Sequence, residues 1–452
     1  VSLTALAYLA VFFYGLIKAM MGRPLYGVFS YILCLYMYAP GSWWGNSLPD
    51  LRWSLLSAIV TMLSIWMAKS KENANLTPLE RTQAKKDNWF SPIEIKLFLA
   101  FVIWVWIQNG WAISGGRHQE FSVMVTKFFI LIYMIKNAVK SEKDLYMVIV
   151  AHIIGCAYFG YLGLTQHSGG RFESAPTPGM SDGNLLSIHM IPMLIAASYI
   201  LLSNVGNKKY FLIPFIVLTL NAIFLTQSRG ALLGMAAVGV VSLFWVPKPS
   251  RKLYRRFAIL AVLAVSSLMG PQAVERLSAL QADDDGKIQE KSAESRLVIL
   301  KAQVEMAKLD PLTGQGHRGT LFLSPIFIPI EYMTQSGGKK VRASHNLTMS
   351  YFVDHGIIGA TLYFSILIVV FLRGFKIRKW LLTTDSNLSP LYIGCTLSLF
   401  AIFVTSQFSN SMRLEVDVWF IAMLSLLYQW IEKARREKAA LPAANSTKER
   451  LI

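Results

Sequence analysis

The chain has 452 residues, 54% of them apolar and only 15% charged, with mean hydropathy +0.44 and net charge +18. A soluble domain carries roughly 25% charged residues, so there are too few charges here to cover a water-facing surface, and the apolar residues fall in blocks long enough to span a bilayer. One soluble domain, a disordered chain and a disulfide scaffold are excluded, as is a β-barrel porin, because the runs are continuous rather than alternating; the expectation is an all-α polytopic membrane protein.

In chain order, hydropathy predicts spans near residues 3–20, 25–39, 52–68, 92–110, 121–136, 144–164, 184–203, 210–226, 230–247, 256–270, 356–373, 390–408 and 414–431. The first two runs are short and joined by Met21, Gly22, Arg23 and Pro24, so they form either a hairpin or two full crossings and the count is 12 or 13 transmembrane helices. The first run has neither a basic segment before it nor a small-residue cleavage site after it, and reads as a retained membrane segment. Cys34, Cys156 and Cys395 lie inside apolar blocks without metal-ligand spacing, which implies no disulfide framework.

In a soluble protein this positive charge would raise nucleic acid as a partner. Its location argues otherwise, and no nucleic acid is expected. One set of connections holds Lys69, Lys71, Arg81, Lys85, Lys86 and Lys96, then Lys136, Lys140 and Lys143, Lys208 and Lys209, Lys248 to Arg256, and Arg373 to Lys379, with more in the tail after Glu432. The alternate connections hold only Arg52, Arg117, Arg171, Arg229 and Arg413, apart from one long loop. Lys and Arg are retained on the cytoplasmic side, so the sparse connections face outward and the C-terminus faces the cytoplasm. The division is residues 1–270 as N-terminal membrane helices, 271–350 as a large outer loop, 351–432 as C-terminal membrane helices and 433–452 as a tail, read as a short helix fading into disorder.

The long loop carries ten basic and nine acidic residues, enough to build structure of its own. Apolar residues at helical spacing predict a helix over 293–309, stopped by Asp310, Pro311 and Gly314. Gly314 and Gly316 permit a tight turn that brings a strand-like segment back to the membrane, and Ser344 is positioned to cap a helix leading into the span near Gly356.

Four outward-facing elements carry candidate chemistry, each with a plain structural alternative. Gln227-Ser228-Arg229-Gly230 separates two apolar blocks with almost no loop; its arginine faces either a water-filled cavity or anion, or snorkels to headgroups. Arg296, on the predicted loop helix with Lys291 and Lys301 nearby, is either a phosphate-matching fork or part of a solvated helix face. His345, in Ala343-Ser344-His345-Asn346, is either a proton acceptor or structural, and His317 is its rival. The turn-rich segment from Arg171 to Asn184 is a simple loop or lines an entrance. Asp283-Asp284-Asp285 has an Asp-x-Asp spacing, but a solvated turn is preferred and no metal is expected. There is no Walker loop, His-Glu-x-x-His or Gly-x-Ser-x-Gly, and no pair of inverted halves with matching broken helices, the pattern of a secondary transporter.

The ordered set Arg171-Phe172 with Asp182-Gly183-Asn184, Ser228-Arg229-Gly230, Arg296, Pro311-Leu312-Thr313-Gly314-Gln315-Gly316, Ser344-His345-Asn346 and Asp354-His355-Gly356-Ile357-Ile358-Gly359 resembles the O-antigen ligase and polymerase superfamily of bacterial envelope enzymes. The resemblance implies a GT-C-like fold with one large helical periplasmic loop, in a multi-pass protein of the bacterial inner membrane with its active site facing the periplasm. It implies inverting glycosyl transfer without a metal or other cofactor, from a glycan on undecaprenyl diphosphate to a sugar of lipid A-core. Carried over by position, Arg229 and Arg296 are the diphosphate-binding arginines and His345 meets the acceptor hydroxyl, with Asn346, Gly314, Gly316, His317, Arg171 and Asn184 in support. Here His355 stands where related chains often have an acidic residue, and Asp354 is the substitute. The alternatives are a polymerase, a protein O-oligosaccharyltransferase or, from another class, a polysaccharide or lipid transporter.

Overall fold

The computed structural model describes residues 2–75, 77, 88–167, 169–173, 177, 179–180, 182–203, 206–268, 291–336 and 339–448. Asp283, Asp284 and Asp285, with Arg81, Lys85, Lys86, Pro176, Pro178 and Ser181, lie outside the described residues. The described chain is almost wholly helical. Its N-terminal part comprises α1 (Leu3–Met20), α2 (Leu25–Tyr36), α3 (Trp53–Asn75), α4 (Ile93–Ile107), α5 (Gly115–Ala138), α6 (Glu142–Thr165), α7 (Gly183–Leu201), α8 (Ile213–Leu225), α9 (Arg229–Ser242) and α10 (Arg251–Leu268). The loop region adds α11 (Lys291–Leu309), α12 (Gly319–Phe327) and the antiparallel pair β1 (Thr334–Ser336) and β2 (Lys339–Val341), with Gln335 opposite Lys340. Three long helices follow, α13 (Leu347–Thr383), α14 (Leu388–Thr405) and α15 (Val416–Lys448).

Among the described residues, nine helices are long and apolar enough to cross a membrane: α1, α3, α4 with the 3₁₀ turn after it, α5, α6, α7, α8 with the 3₁₀ turn before it, α13 and α14. The other four expected spans fall on α2, α9, α10 and α15. At about 1.5 Å per residue, α2 and α9 rise only about 18 and 21 Å against a hydrocarbon core of about 30 Å. Helix α10 opens with Arg251, Lys252, Arg255 and Arg256, and the apolar stretch of α15 is bracketed by Asp417 and Glu432.

The main core lies between α7 and α14, nearly four-fifths of whose apolar stretches are buried. Gly394 lets the Tyr199 ring approach the α14 backbone, and Ser398 Oγ donates to the Pro192 carbonyl of α7 at 2.6 Å. Helix α13 packs along α4, where the buried Glu94 pairs with Arg373, whose guanidinium lies 4.7 Å over the Tyr428 ring of α15. Cys34, Cys156 and Cys395 are buried free thiols. A smaller core of Ile299, Ala302, Met306, Leu323, Ile328 and Val353 seats α11 and α12 on the beginning of α13.

Several local expectations are corrected. The segment after Gly316 is the helix α12, and among the described residues strands appear only at Thr334–Ser336 and Lys339–Val341. The helix expected to lead into the span near Gly356 forms as the first segment of α13, from Leu347, but its cap is Asn346, whose side chain accepts from the Met349 amide at 2.8 Å; Ser344 instead accepts from the Asn346 amide at 3.1 Å. The tail helix continues α15 to Lys448; Lys433 to Ala440 are all Ala, Lys, Arg or Glu, strong helix formers, whereas Pro442 and Asn445 to Thr447 beyond them are not.

Gly356, at φ +64°, breaks α13 after its second turn. A break leaves carbonyls before it and amides after it without helical partners, and the segment 311–316 supplies them. The Gln315 and Gly316 amides donate to the Val353 and Asp354 carbonyls at 2.9 and 2.8 Å, while the Ile357 and Ile358 amides donate to Pro311 and Leu312 at 2.8 and 3.3 Å. Trp104 Nε1 donates to the His355 carbonyl at 3.1 Å. Gly314 (φ +71°) and Gly356 cross so closely that a Cβ on Gly314 would strike the Asp354 and Gly356 backbone, and one on Gly356 the Leu312 carbonyl. The Pro311–Gly316 motif is therefore a clamp on a helix break. Gly356→Ala is expected to lower the apparent melting temperature of the detergent-solubilised protein by about 5 °C or more. Gly239→Ala, on α9 with open space around it, should leave it unchanged or slightly raised; equal temperatures for the two variants would refute the clamp.

Candidate active site

The N-termini of α7, α9 and α13 meet at one end of the helix bundle. Asp182 caps α7, its carboxylate accepting from the Asn184 amide at 2.6 Å. Asn184 Oδ1 in turn accepts from the hydroxyl of Ser228 at 2.8 Å, and Ser228 caps α9 by accepting from the Ala231 amide at 3.3 Å. Gln227, at φ +49°, takes the left-handed conformation unusual for a side chain of its size, and this reverses the chain within three residues. Its amide nitrogen donates to the Gly170 carbonyl at 2.9 Å. Arg229 thus opens α9 one residue after the Ser228–Asn184 bond. Arg171 is tied to the same turn: its Nε donates to the Thr226 carbonyl at 2.9 Å, and its guanidinium meets Glu173 at 3.1 Å and Asp182 at 3.8 Å.

From the other side, α11 brings Ser295, Arg296 and Gln303. The buried Gln303 amide donates to Thr320 at 3.1 Å and to Ser344 at 2.8 Å, pinning the residue before His345 to the loop helices. Arg342 is placed by its own amide, which donates to Ser324 Oγ at 2.9 Å, and by a guanidinium bond to Ser295 Oγ at 3.3 Å; its Nε is buried without a partner. On the far side of His345, Asn346 Nδ2 donates to the Gln407 carbonyl at 3.2 Å and the Leu347 amide to Ser406 at 2.9 Å. Phe408, in the same turn after α14, packs against Gly230 of α9. His345 is therefore held between neighbours fixed on both sides, while its own ring is half-buried.

These groups sense one another electrostatically. Burial, then the charges of Arg342 and Arg296, pushes the His345 imidazole down to about 4, with Asp182 opposing. Burial and Arg171 press Arg296 below the ordinary arginine range, again against Asp182, and burial and Arg296 do the same to Arg342. Arg171, Asp182, Arg296, Arg342 and His345 thus form one cluster with an excess of positive charge. Guanidinium forks offer planar donors matched to phosphate oxygens, and a neutral imidazole keeps a lone pair for a proton.

Of the residues anticipated from sequence, Arg171, Asn184, Arg296 and His345 come together, with Arg229 at the adjoining helix start. Asn346 is a cap, and Gly314 and Gly316 belong to the clamp. His317 is turned elsewhere, buried against Phe121 at a ring distance of 4.1 Å, with its amide donating to His118 Nδ1 at 2.8 Å. Arg342 was not anticipated; the available signal was a basic residue three positions before His345.

Residues 214–364 match the family model described as O-antigen ligase. No curated protein matches the chain. The matched segment runs from α8 into α13 and contains Arg229, Arg296, Arg342 and His345 in one stretch. Members of this family are glycosyltransferase-like ligases and polymerases of lipid-linked glycans. That segment, about a third of the chain, is similar to the O-antigen ligase family.

Proposed function

We propose that this protein is an O-antigen ligase that transfers a glycan from undecaprenyl diphosphate to a sugar hydroxyl of lipid A-core at the periplasmic face of the bacterial inner membrane. The observation that carries the reading is the neutral imidazole of His345 set beside the Arg296 and Arg342 cations. In the reaction the acceptor oxygen attacks the anomeric carbon from the face opposite the diphosphate. The bond from that carbon to the phosphate oxygen breaks with its electron pair leaving on undecaprenyl diphosphate, and the hydroxyl proton passes to His345. Diphosphate is a good leaving group, so the main task is to neutralise charge that grows on it, which preset cations do in a water-poor site. Arg296 and Arg342 take that role, with Arg229 at the α9 N-terminus, where the helix dipole adds positive potential. Sidedness is supported by the Lys- and Arg-rich ends of the helices: Lys208 and Lys209 follow α7 and Arg373 to Lys379 end α13, opposite the cluster.

Reconstitution with lipid A-core and undecaprenyl-diphosphate-linked glycan tests the reading. Wild type is expected to form product, and His345→Ala to lose about 10²- to 10⁴-fold, the usual contribution of a general base. Flux of glycan lipid without a new glycosidic bond would place the chain among transporters, and product on polymerised donor alone among polymerases. Donor binding supplies a second test: Arg296→Ala and Arg229→Ala should each weaken it by about tenfold or more, and unchanged binding in both would remove the diphosphate role. The pH profile supplies a third. The base must be unprotonated, so kcat/KM should stay level on the acid side and fall only as pH drops through about 4. Arg342→Gln removes a cation that disfavours the imidazolium, so the acid limb should move to higher pH; a limb that stays in place would exclude His345 as the titrating group.

A further inference from the structure

We propose that His317, Asp354 and His355 form a structural zinc site, separate from the reacting groups, that locks the loop clamp onto the break in α13. One ligand atom from each residue lies within 4.8 Å of the other two, and all three side chains are buried, at 6%, 2% and 0% exposure. Their hydrogen-bond surroundings show which atoms are available. Gln108 Nε2 donates to the Thr313 carbonyl at 2.6 Å and to the Asp354 carbonyl at 3.1 Å, which leaves its Oε1 facing His355 Nδ1 at 2.6 Å. That oxygen only accepts, so Nδ1 carries the proton and His355 Nε2 is a bare, buried lone pair with no partner. Both ring nitrogens of His317 and Oδ1 of Asp354 are likewise buried without hydrogen bonds. The other carboxylate oxygen of Asp354 accepts from the Arg318 amide at 2.8 Å and stands 3.6 Å from His317 Nδ1, beyond hydrogen-bond range.

His118 is the neighbouring imidazole, and it is already used: Nε2 donates to the Val105 carbonyl at 2.8 Å and Nδ1 accepts from the His317 amide at 2.8 Å. The remaining set of two imidazole nitrogens and one carboxylate oxygen is a ligand combination found at zinc, with a fourth position for water. Each unsatisfied buried polar atom is a cost to the folded state, and one divalent cation satisfies all three residues where a single shared proton serves only two. The Gln108–His355 bond is the outer contact that typically orients a zinc-bound imidazole. Phe121 packs its face against both rings, at 4.1 Å to His317 and 5.2 Å to His355, and limits their rotation. Tetrahedral zinc bonds of about 2.0–2.1 Å set donors about 3.3–3.4 Å apart, so the three donors draw together by about 1.4 Å from their widest spacing. The ion would join the turn that follows α11, which carries Arg296, to the first segment of α13, whose cap follows His345.

Zinc content is read without turnover, so the result is independent of the transfer reaction. Tag-free wild-type protein, purified in detergent from zinc-replete cells, is expected to hold about one zinc per chain by elemental analysis. His317→Ala and His355→Ala should each fall below about a tenth of that, while His345→Ala keeps it. After chelator treatment, wild type should lose thermal stability, and added Co²⁺ should restore it with visible d–d absorption of an imidazole-ligated ion. The Co²⁺ titration needs no variant, so a misfolded substitution cannot mask the outcome. Wild type that carries no zinc and shows neither a Co²⁺ band nor a thermal shift would overturn the proposal, as would loss of zinc in His345→Ala.

Discussion

Two guanidinium groups, those of Arg296 and Arg342, are gathered at one imidazole, with Arg171 beside Arg296 and Asp182 as the opposing charge. Like charges in a half-buried setting repel, so this arrangement persists only because the backbone segments that carry it are pinned by other means. Asp182 and Ser228 cap adjoining helices and are linked through Asn184. Gln303 fastens Ser344 from the loop side, and the turn at Ser406 and Gln407 holds the other side of His345. Helix caps and hydrogen bonds to neutral side chains and backbone therefore do most of the positioning, and the cations are left oriented for an anion. Preset cations need not reorganise as charge develops, which is the general source of electrostatic catalysis.

The same division of labour explains the clamp. A helix interrupted at Gly356 would expose orphan carbonyls and amides in an apolar environment, where each carries a large cost. The Pro311–Gly316 segment meets those groups and in doing so docks α11 and α12 against α13. The conformation of the loop and the position of His345 are thus consequences of one backbone junction. Asp354 contributes twice, through its carbonyl to Gly316 and its carboxylate to the Arg318 amide.

How much of this was legible in the sequence depended on whether the signal was local. The helix over 293–309 was legible because apolar spacing and the Asp310-Pro311 stop are local, and α11 ends at Leu309 as that pattern requires. The segment after Gly316 was misread as extended because Phe322, Phe327 and the Ile residues suit a strand as well as a helix, and packing onto Met306 and Val353 decided for the helix. Ser344 and Asn346 are both good caps, and the choice between them rests on Gln303 and Gln407, far away in sequence. Arg229, Arg296 and His345 stood out because each interrupts or flanks an apolar block. Arg342 did not, since its place beside Arg296 and His345 is set by Ser295 and Ser324, and no spacing rule reports that.

On the proposed reaction, the low proton affinity of His345 bears on how the base is activated. At about 4 the imidazole is a weak base, poorly matched to activating an alcohol at neutral pH. A diphosphate bound by Arg296 and Arg342 changes that, because it cancels the two cations that suppress the imidazolium and adds negative charge of its own. One unit of charge about 5 Å away is worth about 3 kcal/mol at an effective dielectric of about 20, or roughly two pKa units. That is enough to carry His345 into the range where a general base works best. On this proposal the base is strengthened when the donor arrives, so the acceptor hydroxyl is activated only in the presence of the group that it attacks, and the arginines proposed to stabilise the leaving group also govern the imidazole proposed to start the reaction.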